Sequence, residues 1–525
     1  MTDISPPRRR RIAAVLVSAL AVAVLVSGCS TWFVDQSSGG GTDRPVAQST
    51  PTGEDVDPAL RPFYDQALDW KDCDGGFQCA DAKAPLDWKD PSKGDVTLAL
   101  VMHPASDASK RLGSLLVNPG GPGASGYDFV KDSLSFAVSD KLQAQYDVVG
   151  FDPRGVGRSS AISCLTDSER DSYLYDILPG ERGSQQWLDA YTASSTDFAN
   201  KCDEKSGQLL PQVDTVSAAR DLDLLRATLG DSKLNYFGYS YGTFLGSTYA
   251  DLYPQNVGRV VLDGALDPTS TNFDVSMGQA VGFENALRAY MTDCLTGSSC
   301  PFTGTTDDGM AKIGQLIDQV DKSPIRASDG RELGSSSLLT AIIYPLYDST
   351  AWSYLSNMFS DVMSGKADYA MQFADGYNGR KADGTYSDNS TEAFMAINCL
   401  DYSYTTDPTV EAKQNADLVA AAPTIGPWWS YGDISCSVWP DKTTRTPHAV
   451  TAEGAAPIIV VGTTGDPATP YTWAENLAAQ LSSGRLVTYV GEGHTAYGTS
   501  TCVKGIVDEY FLTGAVPSTD PRCTS

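Results

Sequence analysis

A serine stands between two glycines in Gly238-Tyr239-Ser240-Tyr241-Gly242, directly after the apolar run Leu234 to Phe237 and before a helix-compatible run from Thr243 to Leu252. A turn between a strand and a helix is tight and strained there, and it pushes the hydroxyl out at the end of the strand. A serine hydroxyl is a poor nucleophile at neutral pH and needs a base. The chain has three histidines. His103 closes the first strand, well before the serine, and His448 precedes the sixth. His494 follows the last strand in the glycine-rich Gly491-Glu492-Gly493-His494. The acid that would orient its ring is Asp466, in Gly462-Thr463-Thr464-Gly465-Asp466-Pro467, one helix and one strand upstream. Glu492 is a rival, although two residues from the histidine it reaches the ring poorly. An aspartate before proline is also an ordinary turn residue. Donors for an oxyanion come from the backbone N–H of Tyr241 and from the Gly120-Gly121-Pro122-Gly123 loop, with Gly121 the expected donor. This set predicts acyl transfer through Ser240, His494 and Asp466. Such chemistry runs on hydrogen bonds and proton transfer and implies no metal and no cofactor. The Asp152-Pro153-Arg154-Gly155 loop reads as scaffold, with Arg154 buttressing the site's edge.

The elements that must hold these residues are short apolar strands: Val96 to Val101, Ser114 to Val117, Tyr146 to Phe151, Leu234 to Phe237, Val257 to Leu262, Ala456 to Val461 and Arg485 to Tyr489. Between them lie helical stretches such as Ser217 to Leu229, with Leu222, Leu225 and Leu229 on one face and Gly230 as the stop. Alternation of this kind predicts an α/β fold with a mostly parallel sheet covered on both faces. From about residue 266 to 453 the alternation is lost. That stretch is helical, loop-rich and aromatic (Trp352, Tyr354, Tyr369, Tyr377, Trp428, Trp429), and is expected to be an inserted, mainly helical cap domain. The core is then 59–265 and 454–525.

The N-terminus carries Arg8 to Arg11, an apolar run from Ile12 to Val26, and Val26-Ser27-Gly28-Cys29. The run is short for a membrane span and has the flanks of a signal peptide. Residues 1–28 are expected to be cleaved, Cys29 lipidated, and residues 29–58, rich in Ser, Thr, Gly and Pro, to form a flexible tether. The paired arginines leave the twin-arginine export route open. The formal net charge of −27 argues against nucleic acid as a partner. Of 11 cysteines, ten remain beside Cys29. An even set in an exported chain reads as disulfides, with sequential pairing the simplest arrangement: Cys73–Cys79, Cys164–Cys202, Cys294–Cys300, Cys399–Cys436 and Cys502–Cys523. No CxxC occurs, and metal binding is not expected.

The loops Asn118-Pro119-Gly120-Gly121-Pro122-Gly123, Phe151-Asp152-Pro153-Arg154-Gly155 and Gly238-Tyr239-Ser240-Tyr241-Gly242 resemble the proline-iminopeptidase branch of the α/β-hydrolases. Within it, the chain looks most like exported actinobacterial tripeptidyl aminopeptidases, through the segments around Asp466 and His494 and through Ala396-Ile397-Asn398-Cys399-Leu400-Asp401. The resemblance covers roughly residues 60–525. It implies an α/β-hydrolase fold and release of short peptides from free N-termini beneath a cap. The family also includes carboxylesterases with the same triad, so ester cleavage is the alternative reading. A binding module on an inactive hydrolase fold would lack a triad member, and none is missing. One departure is Asn118-Pro119, where many proline iminopeptidases have histidine. An aminopeptidase must bind a protonated amine, and Glu392 and Asp401 are the carboxylates considered for it, with a structural role beside a disulfide at Cys399 as the competing reading for Asp401.

Overall fold

All seven expected apolar runs are strands, and three further strands complete a ten-stranded sheet. The computed structural model describes residues 49–524. The expected signal segment, Cys29 with its lipid, and most of the expected tether lie outside the described residues. In chain order the strands are β1 (Lys71–Asp72), β2 (Gln78–Pro85), β3 (Asp95–His103), β4 (Gly113–Asn118), β5 (Tyr146–Phe151), β6 (Leu234–Tyr239), β7 (Val257–Asp263), β8 (Ile325–Arg326), β9 (Glu332–Leu333), β10 (Ile458–Gly465), β11 (Gly484–Glu492) and β12 (Arg522–Cys523). The sheet runs β1-β2-β3-β5-β4-β6-β7-β10-β11-β12, and β8 with β9 forms a separate small hairpin. Every pairing from β5 through β4 to β12 is parallel, while β1, β2 and β3 join antiparallel at one edge.

Strands β4 and β5 are buried at every position, as continuous apolar runs in a sheet covered on both faces must be. Successive residues serve opposite faces. Tyr236, Val260, Ile458 and Val460 pack into one core cluster, while Phe237, Val261, Ile459 and Val461 pack into another. Strand β2 gave no clear signal because its alanines and charges have little β preference. Its pairing with β3 along the whole length decides its conformation.

A third core cluster lies among the helices between β7 and β10. Phe283, Leu287 and Tyr290 of helix Asn272–Cys294 meet Ile313 and Ile317 of Thr306–Lys322, Leu338 and Ile342 of Ser335–Leu346, and Leu355 and Phe359 of Trp352–Met363. The first two of these helices open on capping boxes at Thr271 and Thr305.

The structure divides this part of the chain differently from the expected 266–453 cap. Helix Ser390–Asp401 buries Ala393, Ala396, Ile397 and Leu400 in the sheet-side cluster, together with Trp439. Its apolar face meets the sheet-side cluster rather than the cluster of the helices between β7 and β10. A second covering segment comes from the stretch after β5, where helices Asp167–Tyr175 and Gln185–Ser206 were not anticipated. Gln185–Ser206 is polar over most of its surface and buries only Trp187, Ser195, Phe198, Ala199 and Cys202. Arg182 ties this segment to the insertion by donating to the carbonyls of Pro427, Trp428 and Ser430, and Arg380 of the insertion pairs with Asp171.

Five disulfides join Cys73 to Cys79, Cys164 to Cys202, Cys294 to Cys300, Cys399 to Cys436 and Cys502 to Cys523. Among the described residues no helix is long and apolar enough to cross a membrane.

The end of the expected tether is not free either. Thr52 donates its N–H to Ala227 O at 3.0 Å, and Glu54 forms a two-pronged pair with the fully buried guanidinium of Arg226 at 2.6 and 2.8 Å. A buried guanidinium requires carboxylate partners, and Asp223 alone supplies only one bond, at 2.9 Å. Glu54→Ala should therefore lower stability by about 1–2 kcal/mol, discounted from a fully buried pair because Asp223 remains and Glu54 is partly exposed. Asp55→Ala, which breaks only an exposed pair with Arg61, should leave stability nearly unchanged. Urea unfolding midpoints of the two variants test the contrast.

Candidate active site

Strand β6 ends at Tyr239, and Ser240 follows with φ 54° and ψ −126° before helix Tyr241–Leu252 begins. A non-glycine residue in this region carries strain of about 1–3 kcal/mol, held by the surrounding bonds. The main hold is the Ser240 N–H, which donates to Asp263 O at the end of the neighbouring β7 at 2.9 Å. The glycine loop after β4 closes over the turn. A Cβ at Gly120 would lie 2.6 Å from Tyr239 O and 3.0 Å from Tyr241 N, so only glycine allows this approach. The buried Asn118 braces the loop, its Oδ1 accepting the Gly120 N–H at 3.0 Å. Gly121 follows Gly120 in this loop, and the N–H of Tyr241 belongs to the first turn of its helix, where donors have no partner inside the helix. The loop therefore brings the two expected oxyanion donors to one end of the sheet.

The imidazole of His494 is fixed from both sides. Its Nδ1 lies 2.9 and 3.0 Å from the two carboxylate oxygens of Asp466 and 3.3 Å from Thr469 Oγ1. Asp466 is itself held by the N–H groups of Ala468, Thr469 and Thr495 at 3.0, 2.8 and 3.1 Å, and its side chain has no exposed surface. Thr469 was missed in the sequence, where a threonine three residues after an aspartate carries no mark. Residues on either side of the histidine have left-handed backbone, Gly493 with φ 102° and Thr495 with φ 66°. From above, the Tyr347 carbonyl of the helical insertion accepts the His494 N–H at 2.8 Å, and the two rings meet edge-on at 5.3 Å.

Burial opposes protonation of His494, but the adjacent Asp466 and the more distant Asp263 outweigh it and raise its pKa above the ordinary 6.5. The other histidines sit elsewhere: His448 is exposed on Asp251 at 3.0 Å, and His103 packs on Phe77. Glu492 turns toward Gly465 rather than toward the imidazole. Arg154 is a scaffold group, fully buried with Asp221 at 2.6 and 2.7 Å and with carbonyls of Pro85, Leu86 and Gln212.

Of the two carboxylates considered for amine binding, Asp401 is committed elsewhere, and Glu392 is paired through Oε1 while its Oε2 has no hydrogen-bond partner among the described residues. Glu392 is buried against Arg170 at 2.5 Å. Asp401 accepts from Thr215 N and Oγ1 at 2.9 and 2.6 Å, and burial pushes its pKa up to about 7. Thr215 Oγ1 lies 2.5 Å from the hydroxyl of Tyr241, so Asp401 braces the residue after the serine rather than facing solvent. No group of three or more potential metal ligands occurs among the described residues.

A base must be neutral to accept a proton, so a raised histidine pKa moves the loss of activity to higher pH. The acid limb of kcat/KM should therefore fall at an apparent pKa above 6.5. Asp466→Asn should lower kcat by about 10³–10⁴-fold, since it stabilises the wrong tautomer, and should shift that limb downward. An acid limb unmoved by Asp466→Asn would show that another group carries the titration.

A family model described as TAP-like protein matches residues 422–523. Serine protease Hip1 of Mycobacterium tuberculosis is 34% identical over 488 residues, covering 88% of this chain and 92% of that protein. Carboxylesterase B of the same organism is 35% identical over 502 residues, covering 92% and 94%. Tripeptidyl aminopeptidase of Streptomyces lividans is 29% identical over 469 residues, covering 87% and 86%. With this likeness along nearly the whole chain, and with the serine turn, acid and histidine at the ends of neighbouring parallel strands, the protein belongs to the α/β-hydrolase family of these mycobacterial relatives, marked by a TAP-like C-terminal part.

Proposed function

We propose that this protein is an exported serine aminopeptidase that releases short peptides from free N-termini. Ser240 Oγ attacks the scissile carbonyl while His494 Nε2 takes its proton, and Asp466 stabilises the imidazolium. The oxyanion is received by the N–H groups of Tyr241 and Gly121. His494 returns the proton to the leaving amine, and water then resolves the acyl-enzyme by the same route. The observation that carries this reading is the Asp466–His494 pair lying beneath the insertion, with Tyr347 bonded to the histidine backbone. A site covered in this way suits the end of a chain better than its middle. The name of the Streptomyces relative supports peptide release of this kind.

The substrate amine needs a carboxylate. In the insertion, Glu284 is buried with Oε2 held by the N–H groups of Thr424 and Ile425, both at 3.0 Å, while Oε1 has no hydrogen-bond partner among the described residues. Its neighbour Phe283 packs on Tyr347, which packs on His494. Glu284 is the carboxylate we assign to the ammonium. Five disulfides support export to an oxidising compartment. Anchoring through a lipid on Cys29 completes the reading of the N-terminal segment, with residues 29–48 as the spacer. The carboxylesterase relative favours ester cleavage by the same residues as the second reading.

The test uses three substrates on the purified protein and on Ser240→Ala: a tripeptide amide with a free N-terminus, its N-acetylated twin, and a short aryl ester. Cleavage of the free-amine peptide alone, abolished in Ser240→Ala, is the expected result. Ester cleavage with both peptides intact would favour the second reading. Glu284→Gln should raise KM for the free-amine peptide about ten-fold or more with kcat less affected, as loss of a charged hydrogen-bond partner predicts. An unchanged KM would remove Glu284 from amine recognition.

A further inference from the structure

Asp263 stands where the three segments of the site meet. It closes β7, which lies in the sheet between the strand leading to Ser240 and the strand leading to Asp466. In register it faces Tyr239 of β6 on one side and Val461 of β10 on the other. Its carbonyl accepts the Ser240 N–H at 2.9 Å. Its carboxylate accepts Ala496 N at 3.0 and 3.1 Å and Tyr497 N at 2.8 Å, two and three residues beyond His494. Gly264, the next residue, lies so near the histidine that a Cβ there would be 3.3 Å from His494 Cε1 and 3.1 Å from Thr469 Oγ1. Asp263 is 0% exposed, and its hydrogen bonds are to backbone amides, with no lysine or arginine paired to it among the described residues.

We propose that Asp263 is a positioning residue of the hydrolase: it registers the serine turn against the histidine loop and sets a second negative charge behind the imidazolium that forms during turnover. The inference rests on the serine-hydrolase reading of Ser240, Asp466 and His494. The physical case is that one residue holds Ser240 through its main chain and the histidine loop through its side chain. A shift of either partner is then felt by the other, and a displacement of about 1 Å between nucleophile and base costs on the order of 10²-fold in rate. Charge adds to geometry. A carboxylate in a low-dielectric setting with no cation beside it favours a positive charge on the nearest titratable ring.

The titratable groups facing His494 are Asp466 from the loop after β10, Asp263 from β7, and the phenol of Tyr347 from the insertion. Those around Asp263 are His494 and Asp466, with the buried phenols of Tyr239 from β6 and Tyr497 from the histidine loop, and Asp508 beyond, bonded to the Tyr497 hydroxyl at 2.7 Å. Burial pushes Asp263 up to about 6, against the pull of the Tyr497 and Ala496 amides and of His494.

The experiment compares wild type, Asp263→Asn and Ser240→Ala, as full mature chains, using a fluorophosphonate probe of the active serine and the pH dependence of kcat/KM. Asp263→Asn should slow labelling and kcat about 10–100-fold with KM little changed, and should move the acid limb to lower pH. Labelling and an acid limb equal to wild type, with only a lower unfolding midpoint, would make Asp263 purely structural and overturn the proposal. A wild type that the probe does not label would instead sink the serine-hydrolase reading beneath it. If Asp263→Asn does not fold, the NMR titration of His494 Cε1–H in Ser240→Ala decides. There a midpoint above 6.5 is expected, and it should fall in Asp263→Glu, which moves the carboxylate; a midpoint and a labelling rate in Asp263→Glu equal to those with Asp263 would overturn the proposal.

Discussion

The site depends on the register of three parallel strands at their C-terminal ends. Tyr239 on β6 stands opposite Asp263 on β7, and Asp263 opposite Val461 on β10. Parallel strands in register end on the same edge, so the loops that follow them emerge side by side. Ser240, Gly264 and the segment leading to Asp466 are therefore neighbours before any side chain is placed. A slip of one residue would turn every side chain to the opposite face and break both core clusters. The strain at Ser240 persists because this frame is rigid around it: β6, β7 and β10 are paired on both sides and buried on both faces.

Buried carboxylates carry distinct tasks within this frame. Asp466 is held by three N–H groups and faces the histidine. Asp401 supports the helix start at Thr215 and, through it, the side chain of Tyr241. Asp221 neutralises the buried Arg154, and Asp152 gathers the N–H groups of Tyr127 and Arg158 with the hydroxyl of Ser125. In a chain this acidic, charge alone says little about which aspartates matter. What separates them is whether their bonds end on backbone, on arginine or on the imidazole.

Much of this was legible in the sequence, and for physical reasons. The central strands announce themselves as continuous apolar runs because they are buried on both faces. The serine turn is marked by its glycines, and the histidine by elimination among three. The parts that were not legible depend on partners remote in the chain. Strand β2 is specified by β3 rather than by its own alanines. The helices after β5 are too polar to stand out, and they are ordered by contacts such as Arg182 with the carbonyls of 427–430. Helix Ser390–Asp401 has an apolar face, but nothing in its pattern says whether that face meets the cap helices or the sheet. Glu392 and Asp401 could be offered for the amine, and their partners Arg170 and Thr215 could not be read, because those partners are distant in sequence. Asp263, one residue past the apolar run Val257 to Leu262, carries no mark in the sequence.

The carbonyl of Tyr347 accepts the main-chain N–H of His494, the residue proposed above as the base. A cover attached to the reacting base in this way is not a lid in the mechanical sense. Swinging it aside would cut a hydrogen bond at His494 and remove the aromatic wall from its ring, so the open form would lose part of the hold on its base. On the function proposed above, a substrate would then pass a fixed frame, and selectivity would be a property of that frame.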